Sequence, residues 1–437
     1  MKNSFCSSPW FHIRINPVGD FSPCRWSQRI HFSNHNINNT TLQEYVNSYE
    51  MRDLRMSLLA GESPAICSGC HYEDSHNKVS GRQRQLLKSA ISIENFDKTL
   101  CASPHYEMFE YSNANQGRTE YLPVDLHMDL GSVCNSACVM CRPMNSTKLE
   151  SEYVKLAKIE PELFRTTSKC TNWTDDTTLV DKFVTQLIEL PNILYIHFLG
   201  GEPLYAKSFY SICNRLISTG IAKDISIGTT TNCTVYSSEL ENIIRQFKHV
   251  HIGLSVESLH CINDYVRWPS NIIKVRDIIQ KFLILREETQ LHLTMRITPS
   301  IFTIYHLDSM FDFMIANLIT AESCNILYDP SCLRIELLPK TLIMEALGKI
   351  NAVIDNHGLI QSQNVIVNRR RADLADDVIG DIIFEYKKFL EDCSEPDDAE
   401  SERHDLVKFV KAFETLRHNK IIDYLPEYEE FLRSYGY

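Results

Sequence analysis

The 437-residue sequence predicts an α/β protein: a partial (β/α)6 TIM-like barrel with a loop-rich, cysteine-bearing N-terminal domain and a C-terminal helical extension. Three observations lead there. Short β-rich runs alternate with helical patterns through the middle third, as a parallel sheet with crossover helices requires. Several of those runs carry one polar face, which a sheet packed on both sides would not. Turn signals crowd the first 115 residues, and helical periodicity fills the chain after Pro339.

The expected domains are 1–115, 120–340 and 341–437. In the first, Asn16-Pro-Val-Gly-Asp20 and Ser22-Pro23 read as turns. Within it, Leu42–Ala60 has the apolar spacing of a helix. The second domain offers strands at Val124–Leu130, Ile193–Leu199, Ile225–Thr231, Val250–Val256, Leu291–Thr298 and Cys332–Leu338. Helical patterns at Leu179–Glu189, Tyr205–Thr219, Ser238–Phe247 and Ile272–Glu288 separate the first five. The third domain reads as helices at Thr341–Asn356, Asp376–Asp392 and Asp405–Tyr435, with acid-rich Ser394–Arg403 as a mobile connection.

The polar faces are specific. Asp125, His127 and Asp129 alternate with Val124, Leu126, Met128 and Leu130 on the first strand. Thr230 and Asn232, then Ser255 and Glu257, then His292, Thr294 and Arg296 repeat the pattern on later strands. This is the signature of a wet, ligand-sized lumen, with solvent-facing strands as the alternative. Asp125, His127, Asp129, His292 and Arg296 are candidates to orient a substrate or move protons, against a reading as internal ion pairs.

A net charge of -12 argues against a general nucleic-acid binder. The short basic runs lie around Arg82–Lys88 and Arg369–Arg371. No apolar run reaches membrane-spanning length, and MKNSFCSSPW lacks a secretory apolar stretch. The expectation is a cytoplasmic, monomeric chain. Fifteen cysteines in a reducing compartment point to metal or redox chemistry rather than to a disulfide framework.

Seven of them form two clusters. The first, Cys134-Asn-Ser-Ala-Cys138-Val-Met-Cys141, follows the first strand of the middle domain directly. Active groups in such barrels sit at the carboxyl ends of strands. Three thiolates on a four-iron cube leave one iron open for a ligand, unlike a closed four-cysteine carrier. Spacing alone leaves zinc or chance open. Further on, Gly200-Gly-Glu202-Pro203 follows the second strand, Thr230-Thr-Asn232 ends the third, and Ser255-Val-Glu257 ends the fourth. Asp264-Tyr-Val-Arg267 comes next. Glycines at a strand end permit close backbone approach.

In that order these segments resemble the radical S-adenosylmethionine (SAM) superfamily. The resemblance implies a [4Fe–4S] cluster on Cys134, Cys138 and Cys141, with SAM on the open iron. It implies SAM contacts from Gly200, Gly201, Glu202 and Pro203 to the amino group, and from Ser255 and Glu257 to the ribose. It also implies contacts from Asn232 and from Arg267, the latter to the carboxylate. Met140 stands where the family usually has an aromatic residue near the adenine. The implied activity is reductive cleavage of SAM to a 5′-deoxyadenosyl radical that abstracts a substrate hydrogen.

The second cluster is Cys6, Cys24, Cys67 and Cys70, the last two in a C-x2-C knuckle, a ligand set that suits zinc or [4Fe–4S] equally on spacing. The quartet, its Gly19-to-Cys24 hairpin and the following helix resemble the SPASM/twitch domain, which implies an auxiliary [4Fe–4S] cluster. In most relatives that domain follows the barrel; here it precedes it. Cys101 is a possible substitute ligand. Cysteines 170, 213, 233, 261, 324, 332 and 393 read as buried small hydrophobes. By the same resemblance a peptide or protein is the first expected substrate. A nucleoside, sugar or other small molecule is the alternative, and a flavodoxin- or ferredoxin-like protein the electron donor. The reading from another class is a non-catalytic two-cluster electron carrier or binding scaffold.

Overall fold

A computed structural model describes residues 4–25, 27, 34–75, 80–92, 95–120, 122–165, 171–190, 193–321, 324–361 and 377–437. Cys170 and Arg369–Arg371 lie outside the described residues.

Eight strands form one open sheet in the order β2-β1-β3-β4-β5-β6-β7-β8. They are β1 His12–Ile15, β2 Phe21–Ser22, β3 Asp125–Asp129, β4 Tyr195–Leu199, β5 Ser226–Thr231, β6 His249–Leu254, β7 Leu291–Met295 and β8 Thr320–Ala321. All neighbouring pairs are parallel except the β1–β2 hairpin. Helices Thr177–Glu189, Lys207–Ser218, Ser238–Gln246, Ile272–Glu288 and Leu307–Ala316 make the crossovers. Each buries its apolar stripe against the sheet, as Phe183, Phe209, Ile243, Phe282 and Phe311 show. Their starts are set by polar caps: Asp176 accepts from the Thr178 and Leu179 amides, and Ser237 accepts from Leu240 N.

The α/β partial barrel stands, with corrections. The first is β1, a strand supplied by the N-terminal segment and paired parallel to β3. Four residues, HIRI, are too short a run to carry a period, so no sequence pattern marks this strand. The turn signals after it are real. Asn16 Oδ1 accepts from the Val18 and Asp20 amides, and Gly19 takes φ +92° at the bend. The second concerns Cys332–Leu338, which forms two 3-10 turns, Ser331–Leu333 and Ile335–Leu337, instead of a strand. The last place in the sheet is taken by β8.

The N-terminal region is also more helical than its turn signals imply, with helices at Leu42–Val46, Tyr49–Ala60, Ser68–Ser75, Gly81–Lys88, Phe96–Ala102 and Tyr106–Ala114. The single helix expected over 42–60 breaks because Ser48 caps a new one through Met51 N. A small core of its own, centred on Phe5, Trp10, Phe96 and Phe109 with edge-on ring contacts, holds this region. Buried Arg55 ties it together by donating to the Pro9 and Gly117 carbonyls.

The C-terminal helices are Lys340–His357, Asp377–Glu391, Ala399–Arg417 and Glu429–Ser434. The Ser394–Arg403 segment runs into helix rather than remaining loop throughout. Its second half is helix, and Arg403 is buried with Nε donating to Leu337 O at 2.8 Å. No helix among the described residues is long and apolar enough to cross a membrane.

Candidate active site

The carboxyl ends of β3 to β6 converge on one cavity of about 330 Å³. Cys134, Met140, Cys138 and Cys141 form one wall; Gly200, Gly201, Glu202 and Pro203 form another. Asn232, Ser255, Glu257 and Arg267 complete it. Every residue expected around the first cysteine cluster therefore reaches a single space.

The cysteine loop is held from several sides. Gly201 N donates to Gly131 O at 2.8 Å and Glu202 N to Val133 O at 2.9 Å, which extends the β3–β4 pairing into the loop. Ala137 N and Val139 N donate to Trp268 O and Val266 O, so the segment carrying Arg267 clamps the other side. Gly131 takes φ +104° against Asn172, and Gly200 takes φ +133° against the Gly131 carbonyl. A Cβ on Gly201 would lie 2.5 Å from Val133 O and 2.9 Å from Cys134 Cβ, so glycine is required there for close approach.

The carboxylates brace the site. Glu202 Oε2 accepts from Asn232 N at 2.6 Å and Oε1 from Leu204 N at 3.3 Å, tying the β4 loop to the end of β5. Burial pushes the Glu202 carboxyl up to about 7, partly offset by those amides. Asn232 donates onward to Asn135 Oδ1 and Ser136 Oγ inside the cysteine loop. Glu257 is 1 % exposed, with one oxygen on Arg267 and the other accepting from Thr298 N at 2.7 Å. Glu257 thus orients the guanidinium, whose Nη1 lies 3.8 Å from Cys138 Sγ. Burial raises all three thiols, Cys134 to about 11 and Cys141 to about 12, and within the triad neighbouring sulfurs raise Cys134 and Cys141 further. Three convergent soft donors that disfavour carrying charge alone suit a strongly cationic metal group.

Arg417, from the C-terminal helix, carries no sequence signal that marks it. Its guanidinium is buried, pairs with Glu152 at 2.6 Å and donates to Ala137 O at 2.5 Å. It clamps the cysteine loop from 280 residues away in sequence, a separation that no local pattern encodes. Arg417→Ala would leave Glu152 and a buried carbonyl without their cation. The expected cost is about 3 kcal/mol, read as a lower midpoint in denaturant titration.

The second cysteine cluster lines a separate cavity. Cys6, Cys24, Cys67 and Cys70 face it together with Arg82, and Cys101 is exposed and does not. Ser8 N donates to Cys6 Sγ at 3.5 Å. Arg82 pairs with Asp74 at 2.6 Å and donates to Phe5 O, so it fastens the knuckle helix to the segment before Cys6. Burial and mutual repulsion raise the Cys6 and Cys67 thiols, Cys67 to about 12. Four convergent thiols fit a closed cluster. Of the other described cysteines, 213, 233 and 332 are buried and 324 and 393 half-buried, but Cys261 is exposed.

The polar strand faces turn inward. His127, His197 and His251 are each 4 % exposed, with His127 and His197 stacked at 4.9 Å. Asp125 Oδ1 lies 3.4 Å from His127 Nε2. His251 Nε2 meets Thr294 Oγ1 at 2.9 Å, and His251 lies ring to ring with His292 at 5.3 Å. Asp129 and Arg296 line a chamber of about 560 Å³ that shares Asn145, Leu199, Gly200, Thr230, Ser255, Arg267 and Thr298 with the cysteine cavity.

No curated protein matches the chain. Among solved structures, the native anSMEcpe with bound AdoMet is 14% identical, with TM-score 0.38, over 54% of this chain and 62% of that one. SuiB of Streptococcus suis bound to its precursor peptide SuiA is 13% identical, with TM-score 0.36, over 81% and 70%. The chain thus spans less than two thirds of the first of these structures. Residues 6–71 match the SPASM family, an iron-sulfur cluster-binding domain, and the segment that carries Cys6, Cys24, Cys67 and Cys70 is on that match a SPASM iron–sulfur segment.

Proposed function

We propose that this protein is a radical SAM enzyme that abstracts a hydrogen atom from its substrate. The observation that carries this reading is the single cavity shared by the Cys134–Cys138–Cys141 triad and by Gly200, Glu202, Asn232, Ser255 and Arg267. Cys134, Cys138 and Cys141 would hold a [4Fe–4S] cluster, which would supply the electron for reductive cleavage of SAM.

The chain's own residues have definable parts. The Cys138-side guanidinium of Arg267, fixed by Glu257, is the cation available to a ligand carboxylate in this cavity. Glu202, 2 % exposed, keeps the Gly200–Pro203 loop in register with β5 and offers its carboxylate to an ammonium. Met140 supplies a polarizable apolar surface for a purine.

A role in electron relay is proposed for the SPASM segment. Cys24 faces the auxiliary cavity, and the next residue, Arg25, lines the chamber under the SAM cavity. Consecutive residues thus line the auxiliary cavity and the chamber. A peptide or protein is the proposed substrate, by the resemblance described above, with a small molecule as the alternative. A flavodoxin- or ferredoxin-like protein is the proposed electron donor.

Two measurements test the reading. Anaerobically reconstituted protein should carry about eight irons per chain, and the Cys67→Ala/Cys70→Ala double variant should lose about half of them. Reduced protein given SAM should release 5′-deoxyadenosine. Absence of that product with both clusters loaded would leave the two-cluster electron carrier as the better account.

A further inference from the structure

We infer that His12, Asp125 and His127 form a binding site for one divalent transition-metal ion, zinc or ferrous iron, which fastens β1 to β3. The inference does not depend on the proposed function, and the site uses none of the seven clustered cysteines.

The first argument is convergence. One donor atom from each of the three side chains lies within 4.8 Å of the other two. Zinc bonds to imidazole and carboxylate are about 2 Å long, so ligands on one ion stand up to about 4 Å apart. A modest closure brings these three donors onto an ion. The backbone already sets them there. His12 pairs with Asp125 across the parallel β1–β3 ladder, and His127 lies two residues further along β3. Side chains two apart on a strand share a face, so all three project to one side of two adjoining strands.

The second argument is unmet bonding. His12 is 2% exposed, and neither of its ring nitrogens has a hydrogen-bond partner among the described residues. The same holds for buried His127 Nδ1 and for Asp125 Oδ1. Asp125 Oδ1 and His127 Nε2 approach to 3.4 Å without making a hydrogen bond. Buried polar groups are ordinarily paired, and several orphans in one place call for an explanation. An ion accepting one nitrogen from each ring and one Asp125 oxygen supplies it. The rings of His12 and His127 are 4.5 Å apart and tilted, as two imidazoles on one ion would be. Lys88 Nζ reaches Asp125 Oδ2 at 3.6 Å, but its side chain is 62% exposed and can turn to water.

The third argument is donor chemistry. Burial keeps both imidazoles neutral, the form with a lone pair to give. Two histidines and one carboxylate suit zinc or ferrous iron, whereas calcium and magnesium take oxygen ligands. The site also has a mechanical use. His12 and Asp125 open β1 and β3, and more than a hundred residues separate them. An ion here would hold the N-terminal segment to the barrel where no helix crosses over between the strands.

The test uses the full chain with both cysteine clusters loaded with iron and sulfide, desalted to remove loose metal. Zn²⁺ is the probe. Bound zinc is counted by elemental mass spectrometry, and its neighbours are read from the zinc X-ray absorption edge. One zinc should bind per chain, with nitrogen and oxygen at about 2.0–2.1 Å and no sulfur. His12→Gln and Asp125→Asn should each weaken binding at least about tenfold, since losing even an outer partner of a metal ligand costs that much. Zn²⁺ should slow hydrogen exchange of the β1 amides in wild type and not in His12→Gln. In protein as purified, His12-dependent zinc would name zinc as the native ion. His12-dependent iron above about eight per chain would name ferrous iron. No bound zinc, or equal affinity in wild type and both variants, would overturn the inference. If a variant fails to fold, the wild-type spectrum decides: sulfur neighbours at about 2.3 Å would put the zinc on cysteines and overturn it too.

Discussion

Replacing Cys138 with alanine is expected to abolish 5′-deoxyadenosine release, a loss of at least about a thousandfold, or ~4 kcal/mol in barrier terms. Cys138 is the buried member of the triad, lies 3.8 Å from Arg267, and sits in the loop that the Val266 and Trp268 carbonyls clamp. Two remaining thiols cannot hold a cube against reduction and exchange. Iron should fall from about eight to about four per chain, because the SPASM quartet lies in its own cavity. The check is paired: product by chromatography, and iron with sulfide by chemical analysis. Retained product in a protein that has lost the triad's iron would refute the assignment.

The second large effect is expected at Gly201. Its missing side chain is what lets the β4 loop lie against the cysteine loop, since a Cβ would press on the Val133 carbonyl and on Cys134. Neither neighbour can retreat cheaply: Val133 O accepts from Glu202 N, and Cys134 is a ligand candidate. Gly201→Ala should therefore separate the two walls of the cavity. SAM affinity should drop at least tenfold, about 1.4 kcal/mol, with the auxiliary iron retained. Equilibrium binding of SAM to the reconstituted variant measures this. Gly220→Ala is the control, because no atom lies within 4 Å of where its added methyl would stand, although its φ of +79° carries a modest backbone penalty.

The two glycines differ in what surrounds them, and the same contrast explains what is legible in the chain before it folds. Strands β3 to β7 and their crossover helices are legible because period two and period 3.6 are local properties of a chain. The polar lumen is legible for the same reason: alternating side chains must face opposite sides of a strand. Edges are harder. The β1 strand is four residues long and finds its partner more than a hundred residues later, at Asp125–Met128. The run at 332–338 alternates well enough for a strand, yet Thr320–Ala321 takes the edge of the sheet and the run turns as 3-10 helix.

The sequence by itself determined the chemistry on offer: three cysteines after the first barrel strand, four more before it, and a polar face on strand after strand. Side-chain type and spacing suffice for that, because thiols and carboxylates carry their reactivity wherever they are placed. Only the tertiary structure decided how those groups are held. It set Glu257 against Arg267, brought Arg417 from the last long helix onto the Ala137 carbonyl, and placed Arg14 and Arg296 in one chamber. Contacts across such separations depend on how strands register and helices pack, and no local period in the chain encodes them.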